Sequence, residues 1–206
     1  MVTAKTQGES MLAIPQPATL DEAGLDLQLL VELALKYLYA HGAQTARDLV
    51  EALCVPYAGV LERALTQAKR EELVEVTGSN GIGELGYRYV LTTKGHVRAQ
   101  EFLSRNGYIG PAPVPIEQYR MVVQAQSLRR VAVTPAAVRQ ALGRLVFSDA
   151  VLDQIGQALN SGQAIFLFGR PGNGKTALAQ RVVAMYGGAV FVPYAILADS
   201  QIIRVF

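Results

Sequence analysis

The sequence contains a single cysteine, Cys54, among 206 residues. One cysteine excludes an internal disulfide and any cysteine cluster for a metal ion. Its apolar neighbours in EALCV are typical of a small core residue. Long hydrophobic runs are also lacking, because the most apolar stretch, 27–40, is interrupted by Glu32 and Lys36. A membrane helix needs about 18 or more consecutive apolar residues, so we expect a cytoplasmic protein without membrane insertion.

The first 20 residues lack the features of an export signal. MVTAKTQGESMLAIPQPAT carries one lysine and no apolar core of sufficient length. We interpret 1–20 as a loose leader.

Neither sign of charge dominates, since the formal net charge is +2, but the distribution along the chain is uneven. Residues 21–110 contain 9 Lys or Arg and 12 Asp or Glu, whereas residues 111–206 contain 9 and 4. Half of all residues are hydrophobic, which predicts a packed core. The chain is long enough for one large or two small domains.

Hydrophobic periodicity predicts three helices in the first half of the chain, over 25–40, 46–54 and 57–72. The period then changes to two in LVEVTG and YRYVLT, which are separated by the glycine-rich SNGIGELG, and this predicts a β-hairpin. TKGHVRAQEFLSRNG predicts a closing helix with Thr93 as its cap.

This order of elements resembles the winged-helix fold over residues 25–106. Winged helices often place their third helix in the major groove of DNA. On this helix the basic residues lie beside acidic residues, and the acids weaken the attraction to phosphate. The basic residues are Arg63, Lys69 and Arg70, and the acidic residues are Glu62, Glu71 and Glu72. The remaining candidates for DNA contact lie near the wing, at Arg88, Lys94, His96 and Arg98. DNA binding is therefore the alternative, and docking of a protein partner or a structural role is favoured.

Three prolines in YIGPAPVPIEQY, 108–119, predict an extended connector and mark a domain boundary. A helix that ends at Arg129 and Arg130 follows, so 108–133 is expected to be a linker and connecting helix. Two further helices are predicted, one that begins at Thr134 with Pro135 in its first turn and one that is capped by Ser148 and ends at Gly162.

The sequence GRPGNGKT, 169–176, meets the phosphate-loop pattern G-x-x-x-x-G-K-[ST]. AIFLF before it predicts a strand, and TALAQRVVAMY after it predicts a helix. A strand, a glycine-rich turn and a helix in this order direct backbone N–H groups and a helix N-terminus at one anion. Gly172 and Gly174 allow positive φ angles and a close approach of the backbone to phosphate.

In this motif the lysine reaches the β and γ phosphates and the hydroxyl binds magnesium. The prediction is therefore a nucleotide site in which Lys175 has the catalytic role and Thr176 is the Mg2+ ligand. The predicted cofactor-binding residues are Gly169, Arg170, Pro171, Gly172, Asn173, Gly174, Lys175, Thr176 and Ala177. The alternatives are a glycine turn with a solvated lysine and a small-molecule kinase with the same loop.

The helix before NSG, the segment AIFLFG, the loop RPGNGKT and the helix ALAQRVV together resemble the start of an AAA+ ATPase module. They are most similar to the MoxR-like bacterial ATPases and to winged-helix-bearing relatives with chaperone activity. The resemblance implies ATP and Mg2+ as cofactors, hydrolysis that remodels a protein partner, and a homo-oligomeric ring. It also implies an adenine site near 145–152. Arg170 stands where this family commonly has proline.

Hydrolysis in this family also requires an acidic pair on a later strand and an arginine from a neighbouring subunit. The sequence AILAD places Asp199 after an apolar run, but no glutamate follows, so we interpret Asp199 as a solvent-facing loop residue.

A parallel sheet needs several strands with both faces covered, and 134–206 is too short to supply them. We therefore expect the chain to be a truncated piece of a longer protein. The predicted fold class is an α+β winged-helix domain at 21–107 followed, after the linker, by the incomplete start of an α/β P-loop (AAA+) nucleotide-binding domain at 134–206.

Overall fold

The computed structural model describes residues 16–79, 81, 83–127, 132–143, 147–185 and 190–205. They form two compact units. Unit 1 consists of the described residues up to 120 together with 192–205, and unit 2 consists of those from 121 to 191. The predicted leader up to residue 15, the pair Arg129–Arg130 and Leu145 of the expected adenine segment lie outside the described residues.

Unit 1 begins with helices and a small sheet in alternation. Its helices are α1 (Leu20–Ala23), α2 (Leu27–His41), α3 (Ala46–Leu53), α4 (Glu62–Arg70) and α5 (Thr93–Arg105). Its first sheet contains β1 (Gln44–Thr45), β2 (Val74–Ser79) and β3 (Tyr87–Leu91). The predicted β-hairpin is confirmed, because β2 and β3 pair antiparallel from Val74↔Leu91 to Ser79↔Tyr87. β1 pairs with the other edge of β3, so the strand order is β1-β3-β2.

Side-chain caps explain where α2, α3 and α5 begin. Asp26 Oδ1 accepts from the N–H of Gln28 at 2.9 Å at the start of α2. Thr45 and Asp48 form a reciprocal capping box at the start of α3. The cap of α5 is Thr92, whose Oγ1 accepts from the N–H of Gly95 at 3.0 Å, and the prediction of Thr93 was therefore wrong by one residue.

The third predicted helix begins later than the sequence indicated. Its first residues, Tyr57–Leu61, form a turn in which Ala58 is extended and Gly59 has a φ of 73°. A Cβ at Gly59 would lie 2.5 Å from the carbonyl oxygen of Ala18, so the close approach of two backbones fixes this bend. The helix proper is α4.

The core of unit 1 is formed by α2, which is buried over most of its circumference, and by one face each of α3 and α4, closed by α5 and the hairpin. Cys54 does not belong to it: the residue is exposed and takes left-handed angles at the C-terminus of α3, with φ 53° and ψ 39°. The interpretation as a core cysteine was wrong, because the chain turns out of the helix at that position.

A second sheet in unit 1 joins the connector to the last described residues. It contains β4 (Val114–Pro115), β5 (Ala195–Ala198) and β6 (Gln201–Arg204). β4 and β5 are parallel, β5 and β6 form a hairpin, and Ala195 is fully buried. Residues 192–205 therefore group with unit 1, whereas the sequence placed them with the phosphate loop. The pairing with β4 supplies backbone hydrogen bonds for β5 that the sequence pattern alone does not specify.

Unit 2 is helical in its described part. It contains α7 (Pro135–Leu142), α8 (Asp149–Asn160) and α9 (Lys175–Met185), and α6 (Ile116–Ala125) spans the boundary between the units. The small core of unit 2 consists of Val133, Val138, Leu142, Leu159 and Leu178. Thr134 caps α7 as predicted, with its Oγ1 3.2 Å from the N–H of Ala137. Across the described residues of the whole chain, no helix is long and apolar enough to cross a membrane.

Candidate phosphate-binding loop

The loop at 169–174 is built around three glycines with positive φ angles. Gly169, Gly172 and Gly174 have φ values of 143°, 85° and 72°. Side chains rarely adopt these angles, so the backbone conformation itself requires glycine. A Cβ at any of the three positions would meet no atom within 4 Å, which means that the space beside the loop is open.

Lys175 folds back onto the beginning of this loop. Its Nζ donates to the carbonyl oxygens of Gly169 at 3.0 Å and Arg170 at 2.7 Å. These acceptors precede the lysine by six and five residues, so the two hydrogen bonds close the loop into a ring around the ammonium group. An ammonium group has three donors, and these two hydrogen bonds use two of them.

The loop leads directly into the N-terminus of α9. The N–H of Leu178 donates to the carbonyl oxygen of Gly174 at 2.8 Å, which is the first intrahelical hydrogen bond. The preceding N–H groups of Lys175, Thr176 and Ala177 have no partner within the helix and carry the positive end of the helix dipole. The side chain of Thr176 is exposed, so its hydroxyl is accessible beside these donors.

Two contacts hold α9 and therefore the loop in place. The side chain of Leu178 is buried in the core of unit 2 against α7. Arg181 Nη1 donates to the carbonyl oxygen of Ala141, near the C-terminus of α7, at 3.5 Å. Arg181 is not part of the phosphate-loop pattern, and its position one turn after Leu178 is the sequence signal for this contact.

The strand predicted before the loop is not formed. Residues 164–168 are all exposed, and the side chains of Phe166 and Phe168 are 85% and 84% exposed. Their rings stack on each other with centroids 6.2 Å apart. A strand exists only through pairing with another strand, and the described part of unit 2 contains none. The prediction of a strand was therefore wrong, while the predicted helix after the loop is confirmed as α9.

In the described ranges, no group of three or more His, Cys, Asp or Glu side chains could hold a metal ion. Asp199 and Ser200 form the turn between β5 and β6 with φ values of 47° and 61°, and Asp199 is exposed. This agrees with its interpretation as a solvent-facing residue.

The candidate DNA-binding residues of unit 1 are mixed with acids, as the sequence indicated. Arg63, Lys69 and Arg70 are exposed on α4, but Glu62 and Glu72 are exposed beside them. Lys94 Nζ donates to the carbonyl oxygen of Glu71 at 2.8 Å and so hydrogen bonds to the backbone directly after the last residue of α4.

Comparison of the chain with protein-family models, with curated proteins and with solved structures gives no match.

Proposed function

We propose that residues 169–177 bind the phosphates of ATP together with Mg2+, and that the chain is the ATP-binding part of an AAA+ ATPase. The observation that carries the proposal is the return of Lys175 onto the carbonyl oxygens of Gly169 and Arg170. These two hydrogen bonds hold a positive charge against the start of a glycine-rich loop that leads into a helix N-terminus.

This arrangement suits a polyphosphate better than it suits a turn with a solvated lysine. A solvated lysine would leave its ammonium group in water, whereas Lys175 is half-buried and bonded twice to the backbone. The first N–H groups of α9 add donors of fixed direction, and the helix dipole favours negative charge at this end. Two sources of positive potential therefore meet at one point.

Magnesium fits the site as an ion that arrives with the nucleotide. Mg2+ usually keeps several waters and takes few protein ligands besides phosphate oxygens. The exposed hydroxyl of Thr176 would be the single ligand from this loop. The ion would neutralise phosphate charge when bound.

Hydrolysis needs groups beyond this loop, namely a carboxylate that orients water and an arginine that stabilises transition-state charge. We propose that a homo-oligomeric ring supplies the arginine from a neighbouring subunit. The full activity is then ATP hydrolysis that remodels a protein partner, in keeping with the similarity of the motif to MoxR-like ATPases.

We propose that unit 1 is a winged-helix domain that docks this protein partner. The strand order β1-β3-β2, with α4 before the hairpin, supports the fold. The mixed charge of α4 supports a protein over DNA, because phosphate neutralisation requires an excess of bases. A DNA-binding regulator with a nucleotide switch is the alternative.

Titration of MgATP against the wild-type chain and Lys175→Ala tests the proposal. Hydrogen bonds to charged groups contribute about 1.5–3 kcal/mol, so we expect the substitution to weaken binding by about ten- to a hundredfold. Lys94→Ala, which removes the same charge from unit 1, is the matched control and should bind as the wild type does. Equal affinities for wild type and Lys175→Ala would refute the assignment.

A further inference from the structure

A groove lies between α7 and α8 in unit 2, at residues distinct from the phosphate loop. Its volume is about 460 Å³. On α8, Gly156 faces Val138 of α7, and a Cβ at Gly156 would lie 3.6 Å from Val138 Cγ2. The absence of a side chain at Gly156 leaves the backbone of α8 uncovered, which deepens the groove. We call it the α7–α8 groove.

The walls of the α7–α8 groove are apolar at the bottom and polar at the rim. The apolar lining comes from Val133, Pro135, Val138 and Leu152, and the rim from Arg139, Asp153 and Gln157. The volume lies in the range of about 300–1,000 Å³ that is typical of ligand sites. Because the rim residues are exposed, the groove suits a side chain that projects from a larger molecule.

One of the two acidic residues of unit 2, Asp153, lines this groove. Residues 121–191 contain 7 Lys or Arg and only 2 acids, Asp149 and Asp153. The acids are one helical turn apart on α8 and therefore on the same side of it. The groove itself is therefore lined by one acid, Asp153, and one base, Arg139.

The two acids differ in what they contact. Asp149 Oδ1 lies 3.8 Å from Arg139 Nη2, and it also occupies the first turn of α8, where the helix dipole stabilises a carboxylate. Asp153 lines the groove and has no ion-pair partner among the residues that the structure describes. Its carboxylate can pair with a basic side chain of a peptide while the neighbouring apolar side chain of that peptide enters the groove.

We propose that the α7–α8 groove binds a peptide segment of a protein partner in which a large apolar side chain stands next to lysine or arginine. The apolar side chain fills the space over Gly156 and Val138, and the basic side chain pairs with Asp153. Arg139 at the same rim lies 3.8 Å from Asp149, which leaves Asp153 as the rim carboxylate that can accept a basic side chain. The groove shares no residue with 169–177, and it includes Leu152 of the segment 145–152 where the resemblance implies adenine.

Nuclear magnetic resonance titration of the full chain with three short peptides tests this site. The first peptide carries phenylalanine next to lysine in a glycine-serine background, the second has glutamate in place of lysine, and the third has alanine in place of phenylalanine. We expect only the first to shift the backbone amide signals of Gly156 and Gln157. No shift with the first peptide, or equal shifts with the second, would overturn the proposal.

Substitution of the carboxylate separates charge recognition from simple apolar contact. Asp153→Asn keeps the size of an exposed side chain and should weaken the first peptide about two- to fivefold, the range of an exposed ion pair. Asp199→Asn removes the same charge from an exposed turn in unit 1 and should leave the affinity unchanged. Identical affinities for Asp153→Asn and the wild type would show that no ion pair forms.

Discussion

The side chain of Asn160 hydrogen bonds to both backbone polar groups of Val133. Its Oδ1 accepts from the N–H of Val133 at 2.8 Å, and its Nδ2 donates to the carbonyl oxygen of Val133 at 2.9 Å. Val133 is buried, so its backbone has little access to water. The end of α8 is thereby fixed to the segment that precedes α7.

Replacement of this amide should destabilise unit 2. Asn160→Ala removes both hydrogen bonds and leaves the backbone groups of Val133 unpaired, for which we expect a loss of about 1–3 kcal/mol in the free energy of unfolding. Urea denaturation measures the change. Gln154→Ala, at an exposed position of the same helix, is the control and should change stability by less than about 0.5 kcal/mol. Equal stabilities of the two variants would contradict the assignment.

The ion pair between Lys36 and Glu32 in unit 1 predicts that removal of its two partners costs unequal amounts of stability. Lys36 is fully buried, whereas Glu32 is 20% exposed, and their charged atoms lie 2.9 Å apart. Glu32→Ala leaves a buried ammonium group without a counter-charge and should cost about 3–5 kcal/mol. Lys36→Met leaves a carboxylate that water reaches and should cost less. Denaturant unfolding of both variants checks the order, and a larger loss for Lys36→Met would contradict it.

Local signals in the sequence were sufficient for many elements of the structure. Thr134 caps α7 and the β2–β3 hairpin forms because capping and alternation act between residues that are close in sequence. The glycine-rich loop at 169–174 is likewise local, because its glycine angles and the returning lysine lie within seven residues. Such features depend little on the rest of the chain.

Features that depend on distant partners were not predictable. The bend at Gly59 exists because the carbonyl of Ala18, 41 residues earlier, lies against it. The segment 164–168 has the composition of a buried strand but no neighbouring strand in the described part of unit 2. β5 pairs with β4, about 80 residues before it. Pairing over such separations is set by tertiary structure, which a local pattern does not contain.

The capping box at α3 predicts a loss of stability in acid. Hydrogen bonds from the side chain and backbone of Thr45 lower the pKa of Asp48 from its usual value near 3.8. A lowered pKa in the folded state means that the ionised group stabilises the fold. Its contribution is complete above the unfolded-state pKa and is lost as the pH falls through the folded-state value.

Asp48→Asn should therefore reduce the difference in unfolding free energy between pH 7 and pH 3. Thr45→Ala should reduce it as well and should cost about 1 kcal/mol at neutral pH through the lost cap. Thermal unfolding across this pH range gives the measurement. Asp199→Asn is the control, and a pH dependence of Asp48→Asn identical to that of the wild type would show that Asp48 does not contribute.

Gly95 provides a test of packing between α5 and the β-hairpin. The residue is buried in the first turn of α5, and a Cβ there would collide with the carbonyl group of Leu73. That carbonyl accepts from the N–H of Thr92 at 3.1 Å, so it is not free to move aside. In an exposed helix, replacement of glycine by alanine would stabilise the protein by up to about 1 kcal/mol. Here we expect Gly95→Ala to lower the free energy of unfolding by about 1–3 kcal/mol, because overpacking outweighs helix propensity.

Gly78→Ala is the matched control for this substitution. A Cβ at Gly78 would meet no atom within 4 Å, and the residue lies in β2 where the strand register shifts. Denaturant unfolding should therefore place Gly78→Ala close to the wild type and Gly95→Ala well below it. A neutral or stabilising effect of Gly95→Ala would mean that α5 can move away from Leu73, and the close approach of helix and hairpin would then not be a requirement of the fold.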